Sequence, residues 1–318
     1  MRVARFLEEA AEFDPVAVTI GNFDGVHIGH RQLFHEVIRA AGENGLEPAA
    51  LTFDPHPASI VAPQRASRLL TTPAERCGLM AREGIEYALV LPFSKEMSRW
   101  TPEQFVERVL VKALRARVVV VGGNFLFGHD QAGDTKVLTE LGRRFGFETR
   151  IVPPVQCRGR LVSSSAIRRA IEAGNVSLAA RFLARPYSLE GEVVSGHGIG
   201  AKQTVPTLNL KTSAQVLPLA GVYVTRTMDL DTARRWKSIT NIGTRPTFDG
   251  HALTIETFLL DPLDPPAPTR IRVEFLKRVR DERKFQNAEA LKAQILRDVA
   301  RTQRFFERLQ KWAPVALK

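Results

Sequence analysis

The sequence predicts two unlike halves: an α/β half built on a parallel sheet with helices on both faces, then a small all-β barrel followed by a C-terminal helix. Three observations carry this expectation. In the first half, short apolar or β-branched runs alternate with stretches suited to helix, the pattern of parallel strands joined by helical crossovers. Beyond residue 186, strand-like runs follow one another closely, separated by Gly, Pro, Asp and Ser, which is the texture of a small barrel. The chain has 318 residues, 44% of them hydrophobic, enough to bury two cores.

Each element follows from its residues. Val16 to Ile20, Ala49 to Phe53, Ala88 to Leu91, Val118 to Val121 and Thr149 to Val152 are the expected strands of the first half. Pro102 to Leu114 and Val137 to Phe145 are the clearest helices between them. Ala166 to Ala173, closed by Gly174-Asn175, and Val176 to Leu183 add two more. The change of texture places the boundary near residues 184 to 187, giving domains 1–184 and 185–318. The second half then offers strands at Glu190 to Val194, Thr207 to Leu210, Gly221 to Thr227, Ser238 to Asn241, Thr254 to Leu260 and Arg270 to Phe275. The Pro-rich stretch 262–268 is a loop, because strand-like sequence resumes directly after it. The final helix, Ala288 to Leu309, carries Leu291, Ile295, Val299, Thr302, Phe305 and Leu309 at helical spacing, with Lys292, Arg297, Arg301 and Arg308 between them.

Composition excludes several classes. No run of eighteen apolar residues occurs, and the amino-terminal MRVARFLEEAAEF turns acidic where a signal peptide needs an apolar core, so a cytoplasmic protein with no membrane partner is expected. The two cysteines, Cys77 and Cys157, stand alone and form neither a disulfide framework nor a metal knuckle. The formal charge of +11 raises a nucleic-acid reading. From Arg270 onward, however, there are fourteen Lys or Arg against six Asp or Glu, so most of the excess sits on one terminal helix and the strand before it. That distribution fits a solvated basic face, or a field that steers anionic substrates, better than an RNA footprint.

The chemistry-bearing stretches lie at strand ends. His27-Ile28-Gly29-His30 falls where the first strong strand turns into a helix, a place where unpaired backbone N–H groups and the helix dipole attract phosphate. The two histidines are three apart and can face one anion, Gly29 leaves room for close approach, and imidazoles there can donate to phosphate oxygens as charge builds. No third ligand supports zinc. Asp54-Pro-His-Pro57 follows the second strand, and Val121-Gly-Gly-Asn-Phe-Leu-Phe-Gly128 follows the fourth. Leu161-Val-Ser-Ser-Ser-Ala-Ile-Arg168 opens a helix with hydroxyls and an arginine. In the second half, the loop 196–209 is Gly-rich and basic without being a Walker A loop. Thr207 and Asn209 share a strand face and offer two oxygens to Mg²⁺ on a nucleotide, and Glu256, a carboxylate in an apolar strand, suits a general base for an alcohol.

Together TIGNFDGVHIGH, TFDPHP, LLTTPAER, VVGGNFLFG and SSSAIRRAIEAGNV, then RPYSLEGEVVSG, VPTLNL, NIGTRPTF, IETFLLD and RVRDERKF, resemble the bacterial bifunctional riboflavin kinase/FMN adenylyltransferase (FAD synthetase) family over almost the whole chain. The resemblance implies a Rossmann-like nucleotidyltransferase domain followed by a riboflavin kinase barrel. It implies that ATP phosphorylates riboflavin to FMN and then adenylylates FMN to FAD, with Mg²⁺ assisting. By motif position, His27 and His30 would contact the ATP phosphates. Gly21, Phe23, Asp24, Gly29, Asn124, Arg160, Ser164, Ser165 and Arg168 would complete the nucleotide and FMN site. In the kinase half, Glu256 would activate the ribityl hydroxyl, Thr207 and Asn209 would hold Mg-ATP, Gly196, Gly198 and Lys202 would line its loop, and Arg280 would help close the site. The loop departs from the family pattern at Ile199, Ala201 and Thr204, and Lys202 would supply charge lost there. Partners would be riboflavin, FMN and ATP, with an oligomer compatible. Two alternatives stay open: an adenylyltransferase with a degenerate flavin-binding kinase domain, and an RNA-binding or tRNA-charging protein. Against the latter, no KMSKS-like lysine loop is visible and a barrel replaces an anticodon-binding domain.

Overall fold

The fold is that of a computed structural model describing residues 1–194, 207–247, 250–283 and 285–312, without the side chains of 244–247, 250–253, 288 and 312. The chain packs as two compact units, Met1–Ser164 and Ser165–Lys318.

In chain order the first unit contains β1 (Arg2–Ala4), α1 (Leu7–Ala10), β2 (Val16–Ile20), α2 (Ile28–Asn44), β3 (Glu47–Phe53), α3 (Pro57–Val61), α4 (Pro73–Arg82), β4 (Tyr87–Leu91), α5 (Pro102–Phe105), β5 (Val118–Gly122), α6 (Thr135–Phe145), β6 (Glu148–Val152) and the two-residue strands β7 (Gln156–Cys157) and β8 (Arg160–Leu161). Six strands form one parallel sheet in the order β1-β4-β3-β2-β5-β6. The chain builds outward from β2 through β3 to β4, then returns to place β5 on the other side of β2. The order therefore reverses between β2 and β5. In open parallel sheets that reversal leaves a crevice beyond the strands' carboxyl ends, and ligands bind there.

Strand alternation divides the core in two. Val16, Val18, Ile20, Ala49, Leu51, Val119 and Val121 pack on one face; Ala17, Ala50, Ala88, Val118 and Val120 pack on the other. Both faces are covered, which is why these strands read as continuous apolar runs. The helix expected from Pro102 to Leu114 is α5 continued by a π-helical stretch, Val106–Ala113, that buries Val106, Val109, Leu110 and Ala113. β1 has no apolar run of its own and escaped the sequence reading. Its register against β4, Val3 opposite Ala88, supplies the pairing that defines it.

In the second unit, α7 (Ser164–Glu172, its first residue belonging to the preceding unit) and α8 (Val176–Leu183) precede six strands, β9 (Tyr187–Val194), β10 (Thr207–Lys211), β11 (Gly221–Asp229), β12 (Arg235–Thr247), β13 (Gly250–Leu259) and β14 (Arg270–Asp281), and then α9 (Ala288–Trp312). The strands close into a barrel in the order β10-β13-β12-β11-β14-β9. All six fall on runs the sequence predicts, most of them longer than expected. α8 is tied to the barrel, where Ser177 Oγ donates to the Leu276 carbonyl at 3.2 Å. Inside the barrel is a feature the sequence concealed. Thr225, Thr227, Ser238, Thr240 and Thr257 are fully buried and form one hydroxyl chain, with links of 2.8 to 2.9 Å. Each hydroxyl has a partner, so burial leaves none of them uncompensated.

α9 corrects one expectation. Its buried line is Gln294, Asp298, Thr302 and Phe306, while Leu291 is 41% exposed. The reason is polar pairing. Arg280 Nε and Nη2 both reach Asp298 Oδ2 at 2.8 Å, Gln294 Nε2 donates to Asp298 Oδ1 at 2.7 Å, and Arg283 donates to Gln294. A satisfied ionic line thus holds a position that apolar periodicity assigned to Leu291.

Candidate functional site

The first cluster grows from the turn that leaves β2. His27 caps α2 through its side chain: His27 Nδ1 accepts from the His30 N–H at 3.3 Å, and His30 Nδ1 accepts from the His27 N–H at 3.4 Å. This is the reciprocal capping box usually made by Ser or Thr with Glu. With Nδ1 accepting, the proton of each neutral ring lies on Nε2, so both imidazoles are Nε2–H donors. The rings stack with centroids 3.6 Å apart and planes 17° apart. The Phe23 ring, 1% exposed, meets His30 edge-on at 5.3 Å and packs on Phe34 at 4.9 Å. Two glycines make room for this stack. A Cβ on Gly21 would lie 2.9 Å from the Phe23 ring, and one on Gly29 would lie 3.1 Å from His27 Cε1. The space at Gly29 is therefore occupied by the imidazole itself, rather than held open for a nucleotide.

Asp24, 3% exposed, anchors the turn. Its Oδ1 accepts from the backbone N–H groups of Leu70 and Thr71 at 2.8 and 3.2 Å, while the Gly25 N–H donates to Thr71 Oγ1 at 3.0 Å. Beneath them lies Arg76, 1% exposed, with Nη1 donating to Thr52 Oγ1 at 3.2 Å and the Phe53 carbonyl at 3.3 Å. Burial pushes its pKa down, against the opposing pull of Asp24 and Asp54. Arg76 does not stand out in the sequence. Its signal was an arginine three residues into the α4 helical pattern, on the apolar side. Ser164 Oγ donates to the Asp24 carbonyl at 2.9 Å, joining the serine row to the same turn.

Asn124 sits exposed in the turn after β5, across the crevice from the β2 turn. Asp134, in the same connection, caps α6 by accepting from the N–H groups of Lys136 and Val137, both at 2.9 Å. Arg160 lies in the exposed β7–β8 hairpin. Ser165 and Arg168 belong to the second unit, where Arg168 Nη2 donates to Ser165 Oγ at 3.2 Å.

The second cluster is on the barrel. Leu208, Leu210, Ile255 and Thr257 point into its core, so Thr207, Asn209 and Glu256 face outward. Register places Asn209 directly opposite Glu256 on β13, and Glu256 opposite Asn241 on β12. Directly paired residues on one face have Cβ atoms about 5 Å apart. An amide, a carboxylate and a second amide thus form a row across three strands, with Thr207 two residues along β10. Asn241 was missed; in Asn241-Ile-Gly-Thr-Arg-Pro246 its only signal is a polar residue at the end of a β-branched run. Gly196, Gly198 and Lys202, with the variant positions Ile199, Ala201 and Thr204, lie outside the described residues. Arg280 is ion-paired to Asp298, so it ties α9 to β14.

A parallel sheet with a phosphate-suited helix start at its order reversal, followed by a closed barrel carrying an oxygen-rich row, defines a two-part nucleotide-handling enzyme. Comparison with known proteins makes the class particular. The family model for FAD synthetase matches residues 9–166 and that for riboflavin kinase matches residues 183–306. The bifunctional riboflavin kinase/FMN adenylyltransferase of Escherichia coli K12 is 34% identical over 91% of this chain and 92% of its own length. That of Pseudomonas fluorescens is 34% identical over 89% and 90%. A crystal structure described as a macrolide-efflux protein from Streptococcus pneumoniae is 29% identical, with a TM-score of 0.86 over 95% of this chain and 99% of the other. The chain belongs to the bifunctional riboflavin kinase/FMN adenylyltransferase family. Among the described residues, no helix is long and apolar enough to cross a membrane.

Proposed function

We propose that each unit's polar cluster performs one of the family's two reactions, and that this separation of clusters is the observation that carries the assignment. The chain is a riboflavin kinase and an FMN adenylyltransferase: ATP and riboflavin give FMN, and ATP and FMN give FAD.

In adenylyl transfer, an FMN phosphate oxygen attacks the α-phosphorus of ATP in line and pyrophosphate leaves, with no covalent enzyme intermediate. Nε2–H of His27 and of His30 would donate to the phosphate oxygens as their charge grows, aided by the N-terminal end of α2. Phe23 and Gly21 position His30, and Asp24 fixes the turn. Asn124, Ser164 and Arg160 would bind nucleotide and FMN by motif position, and Ser165 and Arg168 carry the same motif on into α7.

In the kinase reaction, Glu256 would accept the proton of the ribityl hydroxyl as its oxygen attacks the γ-phosphorus and ADP leaves. Thr207 and Asn209 would hold Mg²⁺ bound to ATP. Hydroxyl and amide oxygens on one strand face are hard donors that fit this ion, and Mg²⁺ keeps water and substrate phosphates as its remaining ligands. Bound there, it would neutralise phosphate charge. Asn241 orients Glu256 from β12. Gly196, Gly198 and Lys202 would cover the phosphates, and Arg280, which ties α9 to β14 through Asp298, would help close the site.

The proposed functional boundary lies between residues 184 and 185, in a cytoplasmic enzyme acting on small molecules rather than nucleic acid. Chromatography of products from riboflavin, Mg²⁺ and ATP tests the two activities: FMN appears first and FAD follows. Failure of supplied FMN to yield FAD would remove the adenylyltransferase assignment.

A further inference from the structure

A groove of about 270 Å³ runs between β14 and α9 on the barrel unit, away from the Thr207–Asn209–Glu256 row on β10 and β13. Its lining includes Lys277, Arg278, Arg301, Arg304 and Arg308, around the half-buried ring of Phe305. We propose that this groove is a binding site for a diphosphate-bearing anion, such as inorganic pyrophosphate or the diphosphate of a nucleotide.

Several arginines elsewhere are ion-paired, whereas this groove gathers cations that mostly are not. Arg39 pairs with Glu36 and Glu43, and Arg150 pairs with those two and Glu148. Arg226 pairs with Glu274, Arg272 with Glu190, and Arg280 with Asp298. Among the described residues, Lys277, Arg301, Arg304 and Arg308 have no ion-pair partner, and only Arg278 has one, Asp281 at 2.9 Å. Arg301 Nη1 donates to the Val279 carbonyl at 3.2 Å, which fixes the guanidinium at the strand without cancelling its charge. Arg278 Nη2 donates to the Ala220 carbonyl at 2.7 Å, holding it likewise.

Arg301, Arg304 and Arg308 stand three and four residues apart, on one face of α9. Like charges at those spacings repel and weaken a helix. A bound anion converts that repulsion into attraction. Five cations with one carboxylate leave about four charges to neutralise. A phosphoryl group carries roughly −1.5 to −2 at pH 7, so two of them match the groove and one does not. Arginine forks suit phosphate oxygens geometrically, and Phe305 provides an apolar side that a nucleotide base or ribose could cover. A groove this small takes a compact diphosphate more readily than a folded nucleic acid, whose contacts would spread over a broader surface.

The test is calorimetric titration of the full chain with inorganic pyrophosphate, without divalent metal, on a His27→Ala/His30→Ala background that removes the adenylyltransferase phosphate contacts. We expect one saturable site, at least tenfold weaker for orthophosphate. Arg304→Ser/Arg308→Ser should weaken pyrophosphate binding at least tenfold, while Arg304→Lys/Arg308→Lys keeps it within about fivefold. Circular dichroism and FMN formation from riboflavin should be unchanged in both, showing that the fold is intact. A parallel titration with ADP separates the sources: an ADP site as tight as that for pyrophosphate and lost in Arg304→Ser/Arg308→Ser assigns the groove to nucleotides, and ADP binding that this substitution does not change assigns it to the free diphosphate. Absence of a saturable site, or binding that survives Arg304→Ser/Arg308→Ser, overturns the proposal. So does tighter arginine-dependent binding of a single-stranded oligoribonucleotide than of pyrophosphate.

Discussion

At the scale of single residues, two polar types in the β2 turn do different work. His27 and His30 cap α2 with Nδ1 and present Nε2–H, whereas Asp24 directs its carboxylate into the turn, onto Leu70 and Thr71. Replacing both histidines by Ala should lower FAD formation from FMN by about 10³-fold, the scale of losing transition-state donors, and leave riboflavin phosphorylation intact. Steady-state rates with FMN and with riboflavin check this. Asp24→Ala should instead cost about 3 kcal/mol of stability, since it leaves two buried N–H groups without their charged acceptor. A urea midpoint unchanged from wild type would contradict that reading. The histidines were legible because their spacing at a strand-to-helix junction is local. Arg76 and Asn241 were not, because their significance comes from Thr52 and Glu256, 24 and 15 residues away, brought close only by the fold.

Elements show the same division between local and long-range information. The strands of the parallel sheet and of the barrel were readable from apolar runs and alternation. β1 was not, since three residues at a sheet edge carry no periodicity. Thr302 is buried on α9 as its spacing suggests, but Gln294 and Asp298 were not legible, because their burial depends on arginines from β14 and the segment after it. α6 illustrates how a terminus responds to pH. The Val137 N–H chiefly holds the Asp134 carboxyl below the usual carboxylate range; desolvation opposes it, and the Lys136 N–H and ammonium add to the lowering. A depressed folded-state pKa means that this stabilisation is present above the unfolded value, about 3.9, and disappears as pH falls through the folded value. Asp134→Asn retains an N-cap without titrating. Thermal unfolding of the two proteins from pH 7 to pH 3 should show wild type losing ground against the variant only below about pH 4. A constant difference across that range would exclude the cap as its source.

At the scale of the whole molecule, family membership and two separate clusters make one chain responsible for consecutive reactions, FMN being product of one and substrate of the other. The histidine cluster lies wholly in the first unit and the Asn209–Glu256 row wholly in the second. Damage to one should therefore spare the chemistry of the other. Two-domain organisation was legible from the change in texture near residue 186. The packing of 165–183 with the barrel was not, because those helices read as a continuation of the α/β pattern. The most direct test of this division is chromatographic product analysis of Glu256→Ala beside wild type, once with riboflavin and once with FMN, each with Mg²⁺ and ATP. The predicted result is that the variant forms no FMN or FAD from riboflavin, yet converts FMN to FAD at the wild-type rate. FMN formed from riboflavin by Glu256→Ala at a rate near wild type would contradict the account.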